Sequence, residues 1–309
     1  MQTPVIFLIF NRPDTTAQVF AEIAKARPRR LLVVADGPRP HRPDDVEKCA
    51  AARAIIDQVD WDCEVMTNFA ETNMGLKDRV ASGLTWGFEQ VEEAIVLEDD
   101  CVPHPTFFRF CEELLAKYRH DSRVMTISGN NFQFGRRRTS YSYYFSRYNH
   151  CWGWASWRRA WQYYDHEMRL WPEIRDGNWL YDILQDRSAV RYWRRIFQRT
   201  YDNEINSWAY RWTFACWVQS GLTVLPAVNL VSNVGFDQEA THTRGRSRVA
   251  YLPTEPLNWP LMHPPFVIQD IEADRSTHQL HSPPFASLIR LAVKARNLLL
   301  RRQTRMHFL

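Results

Sequence analysis

The stretch Ala94-Ile95-Val96-Leu97-Glu98-Asp99-Asp100-Cys101-Val102-Pro103 decides how this 309-residue chain is read. Four apolar residues run into three consecutive carboxylates, and a proline then blocks continuation. A short apolar run closed by a turn signal predicts a strand buried on both faces. In a parallel sheet such a strand delivers its C-terminal residues to the crevice where ligands bind. Three adjacent carboxylates repel one another unless a cation lies among them, and Mg²⁺ or Mn²⁺ suits an all-oxygen site completed by water and phosphate. A solvated acidic turn is the alternative reading of the same residues.

Upstream, strands alternate with helices. Val5 to Phe10 predicts a buried strand, followed by the loop Asn11-Arg12-Pro13. Asp14 is placed to cap a helix whose apolar face carries Val19, Phe20, Ile23 and Ala24. Leu31 to Ala35 is a second strand, broken by Asp36-Gly37-Pro38. A helix over Asp45 to Val59, a strand at Cys63 to Thr67 and a helix striped by Val80, Leu84, Phe88 and Val91 lead to the acidic strand. Beyond it, Pro105 opens another helix, and Val124 to Ser128 is a strand. This alternation predicts an α/β fold with a doubly wound, largely parallel sheet. The first turn contains no glycine, which argues against a G-x-G-x-x-G dinucleotide site. Arg12, Asp36 and the acidic triplet together suit a metal-bound nucleotide diphosphate, although Arg12 and Asp36 taken singly are also compatible with plain loop residues.

The charged fraction of 24% and hydrophobic fraction of 45% are ordinary for a soluble globular chain, and a formal charge of +4 is too small to argue for nucleic acid. Met1 to Phe10 reads as neither a signal peptide nor a membrane span. The six cysteines form no C-x-x-C pair, and a reduced, cytoplasmic protein is expected. Thirteen tryptophans are unusual, and eleven of them follow residue 150. Flat aromatic faces stack on sugar rings, so Trp152, Trp154 or Trp157 are platform candidates, with most of the others expected in the core.

Asn11-Arg12-Pro13, Ala35-Asp36-Gly37, Thr72-Asn73-x-Gly75-Leu76-Lys77 and the run Val96 to Phe108 resemble GT-A glycosyltransferases. The similarity is to the N-acetylglucosaminyltransferase-I-like group and to bacterial family 2-like ("hemolytic protein") sequences, over roughly Pro4 to Thr243. It implies a metal-dependent transferase that moves a sugar from a nucleotide diphosphate donor, UDP above all, to a glycan or lipid-linked acceptor. Carried over residue by residue, Asp100 would hold Mn²⁺ or Mg²⁺, with Glu98 and Asp99 as its nucleotide-side partners. Arg12 would meet the pyrophosphate, Asp36 the uracil end, and Lys77 or Arg79 would line the nucleotide pocket. Cys151 to Trp157 resembles the family's glycine-tryptophan loop beneath the donor sugar, and His242 is placed to complete the metal site. Where that group has W-D-D-W, this chain has Trp208-Ala209-Tyr210-Arg211-Trp212. Ala209 stands where the general base would be, so the base must come from Glu204, Asp237, Asp202 or Glu239, or the reaction retains configuration without one.

The expected organisation is a nucleotide-sugar half (1–135), an acceptor half (136–282) and a C-terminal helix (283–309). After Pro284 apolar residues interleave with six arginines and lysines, and no acid follows Asp274. A basic amphipathic helix of this kind can lie on an anionic membrane face or dock on its own domain. Two further readings are a sugar nucleotidyltransferase, which should carry a glycine-rich loop after strand one, and a non-catalytic glycan binder, for which Ala209 speaks.

Overall fold

The computed structural model describes residues 1–236 and 248–281. Asp237, Glu239, His242 and the basic tail 283–309 lie outside the described residues.

Strand β1 (Val5–Ile9) is buried throughout, and its side chains alternate between two cores. Val5, Phe7 and Ile9 face one layer; Ile6 and Leu8 face the other. This period of two lets helices cover both faces of one sheet. Helix α1 (Pro13–Ala26) follows, then β2 (Arg30–Ala35), α2 (Asp44–Ala54) with a 3₁₀ turn at Ile55–Gln58, and β3 (Glu64–Phe69). Helix α3 (Leu76–Gln90) leads into β4 (Glu93–Glu98), the predicted acidic strand. Asp14 does not cap α1: Arg12 is the cap residue, Pro13 opens the first turn, and Asp14 sits within it. There its charge still favours the positive end of the helix.

The acidic run then turns at Asp99-Asp100 into a short strand β5 (Cys101–Pro103) and α4 (Pro105–Tyr118). Beyond these come β6 (Val124–Ser128), β7 (Tyr143–Ser146), β8 (Trp154–Trp157), α5 (Arg158–Trp161), α6 (Trp171–Asp176), α7 (Leu180–Leu184), α8 (Arg187–Tyr201), α9 (Trp208–Val218), β9 (Leu222–Pro226), β10 (Val231–Asn233) and α10 (Ile271–His281). Eight strands form one sheet in the order β3-β2-β1-β4-β8-β6-β9-β7, and β10 pairs with β5 separately. The sheet is mixed: β3-β2-β1-β4 is parallel, as is β6-β9, whereas β8 runs antiparallel to both β4 and β6, and β7 antiparallel to β9. Because β8 lies between β4 and β6, the two halves of the chain share this sheet.

Helices α1 and α4 cover one face through Val19, Phe20, Ile23, Phe107, Phe110 and Leu114. The other face is where the tryptophans gather. Trp154, Trp161, Trp171, Trp193, Trp208, Trp212 and Trp217 share one buried cluster with α3. Trp154 lies 5.8 Å from Trp208 and 6.0 Å from Trp212, ring centre to ring centre. Rings this large remove much apolar area from water, which accounts for their enrichment without any sugar. Trp154 and Trp157, each 1% exposed, therefore fall from the list of sugar platforms. Their segment is a central strand, and only Trp152 of the three keeps partial exposure. No described helix is long and apolar enough to cross a membrane.

Candidate active site

The C-terminal ends of β1, β2 and β4 lie side by side, because these strands pair in parallel register. Their loops bring Arg12, Asp36 and the acidic triplet to one edge of the sheet. Asp99 is buried and accepts from the Phe10 amide at 3.2 Å and from the Arg12 guanidinium. The other arm of Arg12 reaches Asp100 Oδ2 at 3.0 Å. Burial works against the Arg12 charge, but Asp99 and Asp100 more than offset it and hold the guanidinium firmly protonated. One cation thus faces three acids. The Glu98 side chain makes no hydrogen bond among the described residues, and burial, followed by repulsion from Asp100 and Asp99, raises its pKa well above the carboxylate range. Asp99 is raised as well, by burial first, with Arg12 opposing.

The β5–β10 pair completes this corner. Asn233 stands opposite Cys101, the Val234 amide donates to the Asp100 carbonyl at 2.9 Å, and Asn233 Nδ2 lies 3.4 Å from Asp100 Oδ1. Gly235 passes so close that a Cβ there would fall 2.1 Å from Asp100 Oδ2 and 2.7 Å from Arg12. Asn233 and Gly235 were invisible as site residues in the sequence. Nothing local links them to an acid more than 130 residues earlier, and only the antiparallel pairing does. Gly153 (φ 65°) crosses beneath: its carbonyl accepts from the Gly129 amide at 2.8 Å, and a Cβ there would fall 2.7 Å from Val231. Trp152 packs edge-on between Phe132 and Phe236, both at 5.5 Å.

Other expected residues are engaged elsewhere. Asp36 is buried, and its two oxygens accept from the Gly37, Met74 and Gly75 amides and from Asn73 Nδ2, all within 3.0 Å. Four bonds fill its lone pairs. It staples the loop after β2 to the start of α3, and no acceptor remains for a base or ribose. Arg79 is likewise structural: it forks onto the Ala35 carbonyl and onto Asn68 at the ends of β2 and β3, with its pKa lowered by burial. Lys77 reaches Asn203 at 3.2 Å and Asp78 at 3.4 Å, joining α3 to the turn between α8 and α9. Glu204 lies on that turn, exposed and paired with Arg199 at 2.9 Å; Asp202 accepts from Gln198. The structure therefore brings together Arg12, Glu98, Asp99 and Asp100, and places Asp36 and Arg79 in supporting roles. Ala209 and Arg211 lie in α9, where Arg211 is buried and donates to the His166, Ser207 and Thr200 carbonyls and to Asn203. Two positions after Ala209, Arg211 thus anchors the helix.

Among the described residues no group of three His, Cys, Asp or Glu side chains is arranged to enclose a metal ion. The chemistry of the corner nonetheless fits a divalent cation. The Glu98 carboxyl has no side-chain partner among the described residues, one arginine faces three acids, and Mg²⁺ is commonly held by one or two carboxylates with water and phosphate supplying the rest.

No family model matches the chain, and no curated protein matches it. Among solved structures, a mannosyltransferase from Pyrobaculum calidifontis in complex with GDP-Man and Mn²⁺ is 16% identical at a TM-score of 0.36, covering 51% of this chain. This chain spans 45% of that protein's length. A galactosyltransferase in complex with donor and acceptor sugar analogues covers 91% of this chain and 96% of its own at 10% identity and a TM-score of 0.37. A 4-diphosphocytidyl-2C-methyl-D-erythritol synthase from Anaerococcus prevotii covers 54% of this chain and 77% of its own, at 9% identity and a TM-score of 0.33. Likenesses of this degree decide neither family nor activity; the side chains must.

Proposed function

We propose that the chain is a metal-dependent glycosyltransferase of GT-A type, moving a sugar from a nucleotide diphosphate donor, UDP in the first instance, to a glycan or lipid-linked acceptor. The observation that carries this reading is the corner at the end of β4, where Glu98, Asp99 and Asp100 meet a single arginine beneath Gly235. Asp100, the least buried of the two arginine-bound acids, would hold Mn²⁺ or Mg²⁺. When bound, the ion would supply the charge that a leaving diphosphate needs. Arg12 orients Asp99 and Asp100 and offsets part of their charge, and a diphosphate would meet it only by sharing it with those acids. Gly235 lets the backbone close over Asp100, and the Phe10 amide fixes Asp99. Trp152, held between two aromatic rings, is the platform that remains for a sugar face. Glu204 and Asp237 are the proposed bases, with His242 as a further metal ligand.

The nucleotidyltransferase reading is weaker because the loop after β1 closes on the acids through Arg12 and carries no glycine. A decayed, non-catalytic binder would keep nucleotide affinity without turnover. Screening UDP- and GDP-sugars for Mn²⁺-dependent hydrolysis without acceptor tests the proposal. Release of nucleotide diphosphate from at least one donor is expected. Saturable binding of donors with no release from any would overturn it in favour of the binder.

A further inference from the structure

Helix α8 is two-sided. Ala189, Trp193, Ile196, Phe197 and Thr200 turn to the core, while Arg187, Arg191 and Arg194 recur at i, i+4 and i+7 on the exposed side. At about 1.5 Å of rise per residue these three positions span roughly 10 Å of helix. Together with Asn178, Tyr181 and Val190 they line an open groove of about 450 Å³ between α7 and α8. Tyr181 is 44% exposed, and Trp179, next to Asn178 in the chain, is 52% exposed. Trp171 and Trp193, on the neighbouring helices, are buried.

The acids nearest in the chain do not cancel this charge among the described residues. Asp176, whose charge reaches Arg194, is held at both oxygens by Arg175, at 2.7 and 2.9 Å. Asp186 caps α8 by accepting from the Ala189 amide at 2.8 Å, and Asp182 lies outside the groove's lining. No acid follows Asp274 in the sequence, so the tail has no carboxylate side chain to offer either.

Exposure decides what kind of anion such a face can hold. A dissolved phosphate gains little from exposed arginines, because water and salt screen each pair. Anions arrayed in one plane engage all three arginines at once, so later contacts form at high local concentration. The groove also offers apolar surface from Tyr181 and Val190, along which arginine stems can lie while their heads reach outward. Cationic heads above apolar surface, flanked by an exposed tryptophan and tyrosine, match the headgroup level of a bilayer.

We infer that the face formed by α7 and α8, through Arg187, Arg191, Arg194, Trp179 and Tyr181, docks on a membrane surface rich in anionic phospholipid. It is a folded contact distinct from the basic tail, and it fixes which side of the molecule meets the bilayer. The inference does not rest on the transferase reading.

Co-sedimentation of the full chain at low salt, with vesicles of phosphatidylcholine alone or mixed with phosphatidylserine, is the test. Wild-type protein should partition onto the mixed vesicles in preference to the neutral ones. Replacing Arg187, Arg191 and Arg194 by glutamine should weaken partitioning about 5-fold singly and about 100-fold together. A control replacing Arg29, Arg42 and Arg136 by glutamine removes the same charge from exposed positions on other elements, and should lose less than about tenfold. Trp179→Ala keeps the charge and should weaken binding at high salt as well as low. Wild-type protein that ignores anionic vesicles would overturn the inference. Equal losses in the two triple variants would also overturn it, since net charge or the tail would then account for binding. Binding to inorganic polyphosphate but not to vesicles would overturn it in favour of a soluble polyanion. Donor hydrolysis without vesicles reports separately on the transferase reading: its absence in a protein that docks as described would leave this inference intact.

Discussion

Gly235 and Asp36 are the residues at which the acidic corner is most sensitive to single atoms. A Cβ at position 235 would lie 2.1 Å from Asp100 Oδ2, well inside contact distance, so Gly235→Ala must push the carboxylate or the chain aside. Nucleotide affinity in Mn²⁺ should fall at least about tenfold, the equivalent of about 1.4 kcal/mol, with the melting temperature little changed. Calorimetry on the variant checks this, and wild-type affinity would show that the Asp100 position is immaterial. Asp36 makes the opposite prediction. Its four hydrogen bonds hold a loop, so Asp36→Ala should cost roughly 2–4 kcal/mol of stability. Denaturant titration measures that cost. A fully stable variant that had lost nucleotide affinity would return Asp36 to the ligand role expected from its sequence context. That context, Ala35-Asp36-Gly37 after a strand, cannot tell a carboxylate aimed outward from one turned back on its own loop. The same blindness applies to Arg79, whose fork onto Ala35 and Asn68 needs two strand ends placed side by side.

At the scale of elements, buried apolar runs were legible and aromatic ones were misleading. β1, β2, β4 and β6 appear where hydrophobic periodicity puts them, to within a residue or two at either end. β8 does not, because Trp154-Ala-Ser-Trp157 carries the look of a sugar-binding loop and none of the Val and Ile that mark a strand. Its antiparallel insertion beside β4 depends on partners β4 and β6, which local pattern cannot encode. Helix α10 carries a titratable test of its own packing. Burial raises the Asp274 carboxyl from 3.8 to about 6, against bonds from Ser146, Arg147 and Gln269 that favour its charge. A raised carboxyl binds its proton more tightly in the fold than in the unfolded chain. Its contribution is therefore fully present below pH 3.8 and is lost as pH rises through about 6. Asp274→Asn removes that titration, so the variant should gain on wild type by about 2–3 kcal/mol between pH 4 and pH 7.5. Urea midpoints at both pH values decide the matter; a difference independent of pH would mean that the carboxyl titrates normally.

At the scale of the whole molecule, the α/β plan and the acidic corner followed from alternation and from one stretch of ten residues, whereas the closing of the corner did not. Asn233 and Gly235 reach Asp100 only through the β5–β10 pairing, a long-range contact with no periodic signature. The basic tail 283–309 makes a prediction from sequence alone. Its six arginines and lysines with interleaved leucines should carry the chain onto anionic vesicles at low salt, with binding weakened as salt screens the charges. Co-sedimentation of full-length and 1–282 chains tests it, and equal, negligible binding by both would show that the tail gives no membrane attachment. The central claim is that the end of β4 holds a divalent cation together with a nucleotide diphosphate. Calorimetric titration of UDP and GDP into wild-type and Asp100→Ala protein, with Mn²⁺ and with EDTA, measures it directly. Wild-type protein should bind one of them only in Mn²⁺, and Asp100→Ala should lose that affinity while melting as wild type does. Binding to wild type that is indifferent to EDTA, or to the Asp100→Ala substitution, would contradict the claim.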